Sequence, residues 1–222
     1  MLAFYGTFVK AGDLCFDVGA NTGSRVAVLR ALGANVVAVE PQKVCIDQLR
    51  TRFGNDPGVT LIPSALGRSP GTSEMLVSQA RSISSLSKDW VSAVKTSGRF
   101  AAYTWDETLT VPVTTLDRLI QDIGRPRFCK IDVEGFEADV LAGLSSPVAV
   151  LSFEFTTIQR DVAARCLELL AALGPYGFDL ALGESQQMTF GRLVSAAEMT
   201  AHIEALPHAA NSGDVYALLN RT

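Results

Sequence analysis

The chain has little histidine. His202 and His208 both stand near the C-terminus, so the residue type most used for general acid–base work is far in sequence from everything else that suggests chemistry. There is no excess of basic charge: 19 Lys and Arg against 23 Asp and Glu leave a formal net charge of −4. No basic run occurs either, which argues against wrapping a polyanion and makes nucleic acid an unexpected partner. No segment approaches the roughly 20 apolar residues that a helix needs to span a bilayer. The opening MLAFYGTFVK has neither the basic head nor the long apolar body of a secretory leader, so the expected compartment is the cytoplasm. Cys15, Cys45, Cys129 and Cys166 are widely separated and form no C-x-x-C pair, so zinc or disulfide duty is not expected. Three of them lie in apolar runs, where a free thiol behaves as a small core residue. Internal repeats, low-complexity tracts and linkers are also missing. What remains is material for one core, residues 1–222 as a single domain, with 48% apolar and 19% charged residues.

Short apolar runs alternate with amphipathic ones, the pattern of a mostly parallel sheet with helices on both faces. DLCFDVG, NVVAVE and GVTLIPSAL predict three strands, with a helix from Thr22 to Leu32 and another opened by Pro41, whose Cys45, Leu49 and Phe53 recur every four residues. From about 67 to 113 the rhythm is lost. SEMLVS predicts a strand there, followed by a loop-rich insert holding Trp90, Phe100, Tyr103 and Trp105. LTVPVTTLDRLI then returns to a strand and a helix. RFCKIDVEG, VAVLSFEF, GFDLALGE and GDVYALL predict the remaining strands, with helices at 136–144, 159–173 and 196–206 between them. The expected fold is a doubly wound α/β sheet of seven principal strands, the last two able to pair antiparallel.

In an open parallel sheet, ligands collect beyond the carboxyl ends of the strands. Acids stand at three such ends: Asp17 after the first strand, Glu40 after the second, and Asp132 with Glu134 after CKI. The turn Gly19-Ala20-Asn21-Thr22-Gly23 lets backbone approach a ligand closely and feeds a helix whose N-terminal amides attract an anion. Its spacing is not the G-x-G-x-x-G of dinucleotide sites, and Asp17 would repel a diphosphate. A ligand with an ammonium, a carboxylate and a ribose diol matches better: Asp17 for the ammonium, loop amides for the carboxylate, Glu40 for the diol. S-adenosylmethionine is such a ligand.

FDVGANTGSRVAVLRALGANVVAVEPQ resembles the cofactor-binding half of the class I S-adenosylmethionine-dependent methyltransferases. VPVTTLDRL followed by KIDVEGFEADVLAGL resembles the FkbM family among them, and the likeness runs over residues 5–155. It implies a Rossmann-like seven-stranded fold with an antiparallel last strand, and methyl transfer to a hydroxyl of a small molecule or glycan. It also implies that Asp17, Gly19, Ala20, Asn21 and Gly23 line the methionine end of the cofactor, that Glu40 and Pro41 lie at the ribose, and that Ser64 and Ala65 form the adenine rim. Ser84, Ser85 and Leu86 are implied to face the acceptor.

A hydroxyl acceptor must lose its proton, and with histidine remote the candidates are Asp132, Glu134 and Glu154. These acids would act as base, as orienting groups or as ligands of a divalent metal. A structural duty competes for each: Glu134 as a helix cap, Glu154 as partner of Lys130 or Arg160. His208, which precedes the last strand, is a weaker candidate at the rim. Lys130 near acids resembles the sets of RNA ribose methyltransferases, but with no basic surface a salt bridge accounts for it better. The insert RSISSLSKDW offers a lid over the pocket. A non-catalytic module that binds the nucleoside is the rival from another class, and a nicotinamide-dependent reductase is disfavoured by the glycine spacing.

Overall fold

Residues 1–220 are described here, from a computed structural model. The parallel strands are buried on both faces, which is why they read as continuous apolar runs. They are β1 (Leu14–Val18), β2 (Asn35–Val39) and β3 (Val59–Ile62), then β7 (Phe128–Ile131) and β8 (Val150–Thr156) after an insert. The sheet is completed by β9 (Tyr176–Leu182) and β10 (Ser212–Leu219), in the order β3-β2-β1-β7-β8-β10-β9. β10 runs antiparallel to both neighbours, pairing Asp214 with Glu154 on one side and Ala181 on the other. The chain thus winds outward from β1 to β3 and then returns to lay β7 against the other side of β1, in register Asp17 to Lys130. That reversal opens a crevice at the carboxyl ends of β1 and β7.

Helices cover both faces, and strand alternation sends successive residues to opposite layers. Phe16, Val18, Cys129, Ile131, Leu151 and Phe153 pack with α5 (Leu116–Ile123), α6 (Glu137–Leu141), α7 (Arg160–Leu173) and α8 (Ala196–Ala205). Cys15, Val36, Ala38, Phe128 and Val150 pack on the other side with α1 (Leu2–Tyr5), α2 (Ser24–Ala31) and α3 (Lys43–Phe53). There an aromatic stack runs Tyr216–Phe8–Phe128, at centroid distances of 5.4 and 6.1 Å. All four cysteines are buried free thiols. Among the described residues no helix is long and apolar enough to cross a membrane.

Two expectations need correction. GVTLIPSAL is not one strand, because Pro63 has no N–H to extend the ladder and the Ser64 N–H turns back to the Ile62 carbonyl at 2.9 Å. Beyond that corner β4 (Ala65–Leu66) joins a separate small sheet, in the order β4-β6-β5. The strands expected at SEMLVS and LTVPV are present as β5 (Gly71–Val77) and β6 (Glu107–Thr114), but they pair antiparallel with each other in this small sheet, and the insert between them is not mostly loop. It carries a helix, α4 (Lys88–Ser97), whose first turn is capped by Ser87 accepting from the Trp90 N–H at 3.0 Å. Trp90, Val91 and Val94 form its buried face against Trp105. Three apolar residues among serines, lysines and acids are too thin a stripe to announce a helix in sequence.

Candidate active site

The turn after β1 is built for close backbone approach. Gly19 has φ +85°, and any Cβ there would overlap the carbonyl oxygen of Asp132, so only glycine lets the first turn lie against the end of β7. The Gly19 and Ala20 amides both donate to the Val39 carbonyl at 3.0 Å. Asn21 has φ 47°, the left-handed region that asparagine tolerates. Its N–H donates to Glu40 Oε2 at 3.0 Å, and the Gln42 N–H donates to Glu40 Oε1 at 2.8 Å. One buried carboxylate therefore closes the turns after β1 and β2. Burial raises the Glu40 pKa, and the two amides pull against that rise. Each of its oxygens keeps a lone pair for a further donor.

Next to Glu40 lies a narrow cavity of about 50 Å³. Of the residues expected to bind a cofactor or acceptor, Gly19, Asn21, Glu40, Pro41, Ser64, Ala65, Ser84, Leu86, Asp132 and Glu134 line it. Gln42, Met75, Arg81 and Phe136 line it too, and sequence reasoning had singled out none of them. The insert brings two of these. Met75 sits at an inward position of β5, and the Arg81 carbonyl accepts from Gln42 Nε2 at 3.0 Å, which holds the segment after β5 across the cavity mouth. A spacing rule keyed to β1 and β2 has no access to residues carried in by a remote hairpin.

Asp17, Ala20, Gly23, Ser85 and Glu154 are not in that lining. Asp17 is fully buried behind it, one carboxylate oxygen without a hydrogen-bond partner. Burial is the main reason its pKa is pushed up to about 7, with Lys130 opposing the rise and Asp132 adding to it. Ala20 is buried in the core of the α2 face, and Gly23 heads α2. Ser85 Oγ instead donates to the Glu134 carbonyl at 2.6 Å, a support for the site rather than part of its wall. The resemblance had implied that Ser85 faces the acceptor. In the fold, the side chain of this wholly buried serine turns inward to the backbone.

Asp132, Glu134 and Glu154 converge, each offering a carboxylate oxygen within 4.8 Å of the others. Glu134 has φ 56°, a strained position for a non-glycine residue. It is held by the Ser85 bond on one side and by Gly135 on the other, where any Cβ would strike Trp90. The capping duty foreseen for Glu134 is not performed, since α6 has no side-chain cap; Glu137, its first residue, instead accepts from the Val133 and Gly135 amides of the preceding turn at 3.0 and 3.2 Å. Lys130 is buried, its Nζ 2.6 Å from Asp214 and 3.1 Å from Asp132. Burial alone would lower its pKa, but Asp132, Asp214 and Glu154 override that and hold it charged. Burial would likewise raise Asp132, and Lys130 keeps it below the usual carboxylate range. Glu134 and Glu154 are pushed well up, first by burial and then by the charge of Asp132. Arg160, the alternative partner foreseen for Glu154, donates to the Glu204 and Leu206 carbonyls instead. The result is one ionised acid beside two that favour their protonated form, arranged around a fixed cation.

A doubly wound sheet with a glycine turn after β1, a buried acid after β2 and acids across the crevice matches the α/β architecture of methyltransferases. Residues 17–180 match the methyltransferase FkbM domain, and the chain belongs to that family. It is 27% identical over 152 residues to the hexuronic acid methyltransferase AglP of Haloferax volcanii, an alignment covering 68% of this chain and 57% of AglP. Among solved structures it is similar to an FkbM methyltransferase from Methylobacillus flagellatus, with a TM-score of 0.58 and 15% identity over 94% of this chain and 44% of that one. It also resembles a precorrin-6y C5,15-methyltransferase from Geobacter metallireducens, with a TM-score of 0.50 and 13% identity, covering 99% of this chain and 85% of the other. The chain thus spans little more than half the length of AglP, and less than half that of the Methylobacillus protein.

Proposed function

We propose that the chain is an S-adenosylmethionine-dependent O-methyltransferase acting on a hydroxyl of a glycan or small molecule. The observation that carries this reading is the meeting, in one crevice, of a glycine turn tied to Glu40 with the acids Asp132, Glu134 and Glu154. The residues suit the cofactor in part: Glu40 has lone pairs free for a ribose diol and the Gly19 turn has no side chain to obstruct an approach, whereas Asp17 lies buried behind the cavity. Ser64 and Ala65 serve as the adenine rim beside Pro41.

When bound, the cofactor supplies a methyl carbon that the acceptor oxygen attacks in line, the C–O bond forming as the C–S bond breaks and its electron pair goes to sulfur. The chain's task is then to align the oxygen and take its proton. Glu134, which lines the cavity, takes that role, since a raised pKa suits a carboxylate to accept a hydroxyl proton once it is ionised. Asp132 orients the acceptor as a fixed negative partner, and Glu154 steadies Asp132. AglP, named for its action on hexuronic acid, supports a glycan acceptor. The buried free thiols fit a reducing compartment, the cytoplasm.

Calorimetry with S-adenosylhomocysteine tests the cofactor claim; heat-silent titration at high micromolar ligand would remove it. A second reading has one observation in its favour: three carboxylate oxygens within 4.8 Å suit a hard divalent cation. Lys130 already supplies positive charge at Asp132, which weighs against it. Dialysis against EDTA followed by Mg²⁺ or Mn²⁺ addition separates the two, a metal-free enzyme at full rate favouring the proton-transfer reading.

A further inference from the structure

A second cleft, of about 990 Å³, opens on the same rim of the sheet. One wall is the outer face of α4, where Asp89, Ser92 and Thr96 follow helical spacing opposite the buried Trp90, Val91 and Val94. The other wall is the turn before β10, with His208 and Asn211. At the base lies Arg99. Its guanidinium donates to the Asn211 carbonyl at 3.2 Å and to Thr157 Oγ1 at 3.1 Å. Thr157 is buried and in turn donates to the turn carbonyls of His208 and Asn211, at 3.0 and 3.1 Å. Two of the five guanidinium donors are thus spent on holding the fork in place, and the others remain for a ligand.

Thr157 is three residues beyond Glu154, a separation of about 10 Å along an extended chain. Burial lowers the Arg99 pKa from the usual guanidinium value, and Glu154, when ionised, opposes that drop. The cleft, with Ile158 in its lining, therefore opens at the carboxyl end of β8, the strand that carries Glu154.

Resting on the methyltransferase reading above, we infer that this cleft selects an acceptor sugar bearing one anionic group, with Arg99 and His208 gripping the anion while Ser92, Thr96 and Asp89 meet its hydroxyls. A planar guanidinium fork is suited to bidentate recognition of carboxylate or phosphate. Hydroxyl side chains and one acid along the opposite wall suit a polyol, and Asp89 disfavours a second negative group there. Arg99 is a specificity residue in this account: it touches the acceptor remote from the reacting oxygen.

The test is calorimetry on the whole chain saturated with S-adenosylhomocysteine, using 4-nitrophenyl glucuronide, glucose 6-phosphate and the neutral 4-nitrophenyl glucoside as probes. An acidic probe should bind about tenfold or more tightly than the glucoside, as a charge-assisted pair implies. Whichever acid wins identifies the anion as carboxylate or phosphate. Arg99→Gln should bring the ratio close to one, Arg99→Lys should keep part of it, and His208→Ala, an exposed change that spares the fold, should lower it by about two- to threefold. Equal affinity for all three probes, binding of none, or discrimination that survives Arg99→Gln in a variant with wild-type melting would overturn the inference. S-adenosylhomocysteine affinity is read in the same experiment: its loss with acid discrimination intact would sink the cofactor reading and leave this one standing.

Discussion

Glu40 and Glu134 are both carboxylates in the same cavity, yet their surroundings differ. Glu40 accepts one backbone amide on each oxygen, and these amides oppose the rise in its pKa that burial causes. Glu134 sits on a strained backbone beside Asp132 and Glu154, with neither oxygen hydrogen-bonded. A carboxylate whose charge is already answered by main-chain dipoles is a fixed acceptor, suited to holding a ligand. One crowded by its own kind shifts its proton equilibrium with small changes around it, and that suits proton transfer. On the proposed reading, the crevice separates binding from chemistry by the partners it gives to identical functional groups.

The sharpest way to break that contrast is Glu134→Gln, expected to lower kcat by about 10²- to 10⁴-fold while S-adenosylhomocysteine affinity stays within about twofold. Equal losses in both would show that Glu134 belongs to the binding side. Removing the cation between the acids comes next: Lys130→Met leaves Asp132 and Asp214 without their counter-charge and should cost about 3–5 kcal/mol in urea unfolding. Asp214→Asn added to it should recover part of the loss.

The proton balance of the acid side is visible in stability. Burial pushes Glu137 up to about 7, against its own backbone hydrogen bonds. An acid whose folded pKa lies above its unfolded value stabilises fully below the unfolded value, and that contribution is lost as pH rises through the folded one. The urea midpoint should therefore fall between about pH 4.5 and 7, by an equivalent of about 3 kcal/mol at 1.36 kcal/mol per unit, and Glu137→Gln should flatten the fall. On the binding side, Glu40→Gln should weaken S-adenosylhomocysteine by about 10- to 100-fold, the worth of hydrogen bonds to a charged acceptor. Its kcat at saturating cofactor should change far less. The smallest effect is Ser87→Ala, which removes the cap of α4 and should lower stability by about 1 kcal/mol, read as a drop in Tm with the cofactor affinity unchanged.

The cofactor half was legible because its signals are local. The glycine turn, the acid at the end of NVVAVE and the proline after it lie within about two dozen residues, and each has a conformational reason to be where it is. The third strand was misread at Pro63, where a missing amide outweighed an unbroken apolar run. The insert was misread for the opposite reason: Trp90, Val91 and Val94 are too few to mark a helix until Trp105 and Gly135 close around them. Arg81 and Met75 lie in stretches read only as a lid and a strand, and Arg99 in neither, since a hairpin and a helix bring them to the rim from far along the chain.

By itself, the order of residues determined a doubly wound sheet and the glycine turn after its first strand, because strand burial and backbone freedom are set by neighbours within a few positions. Tertiary structure alone decided that Asp132, Glu134 and Glu154 converge, that Lys130 pairs with Asp132 and Asp214, and that Ser85 Oγ bonds the Glu134 carbonyl. Those facts depend on burial and on distances between segments tens of residues apart. Electrostatic energy varies with both, and neither is written in the spacing of a motif.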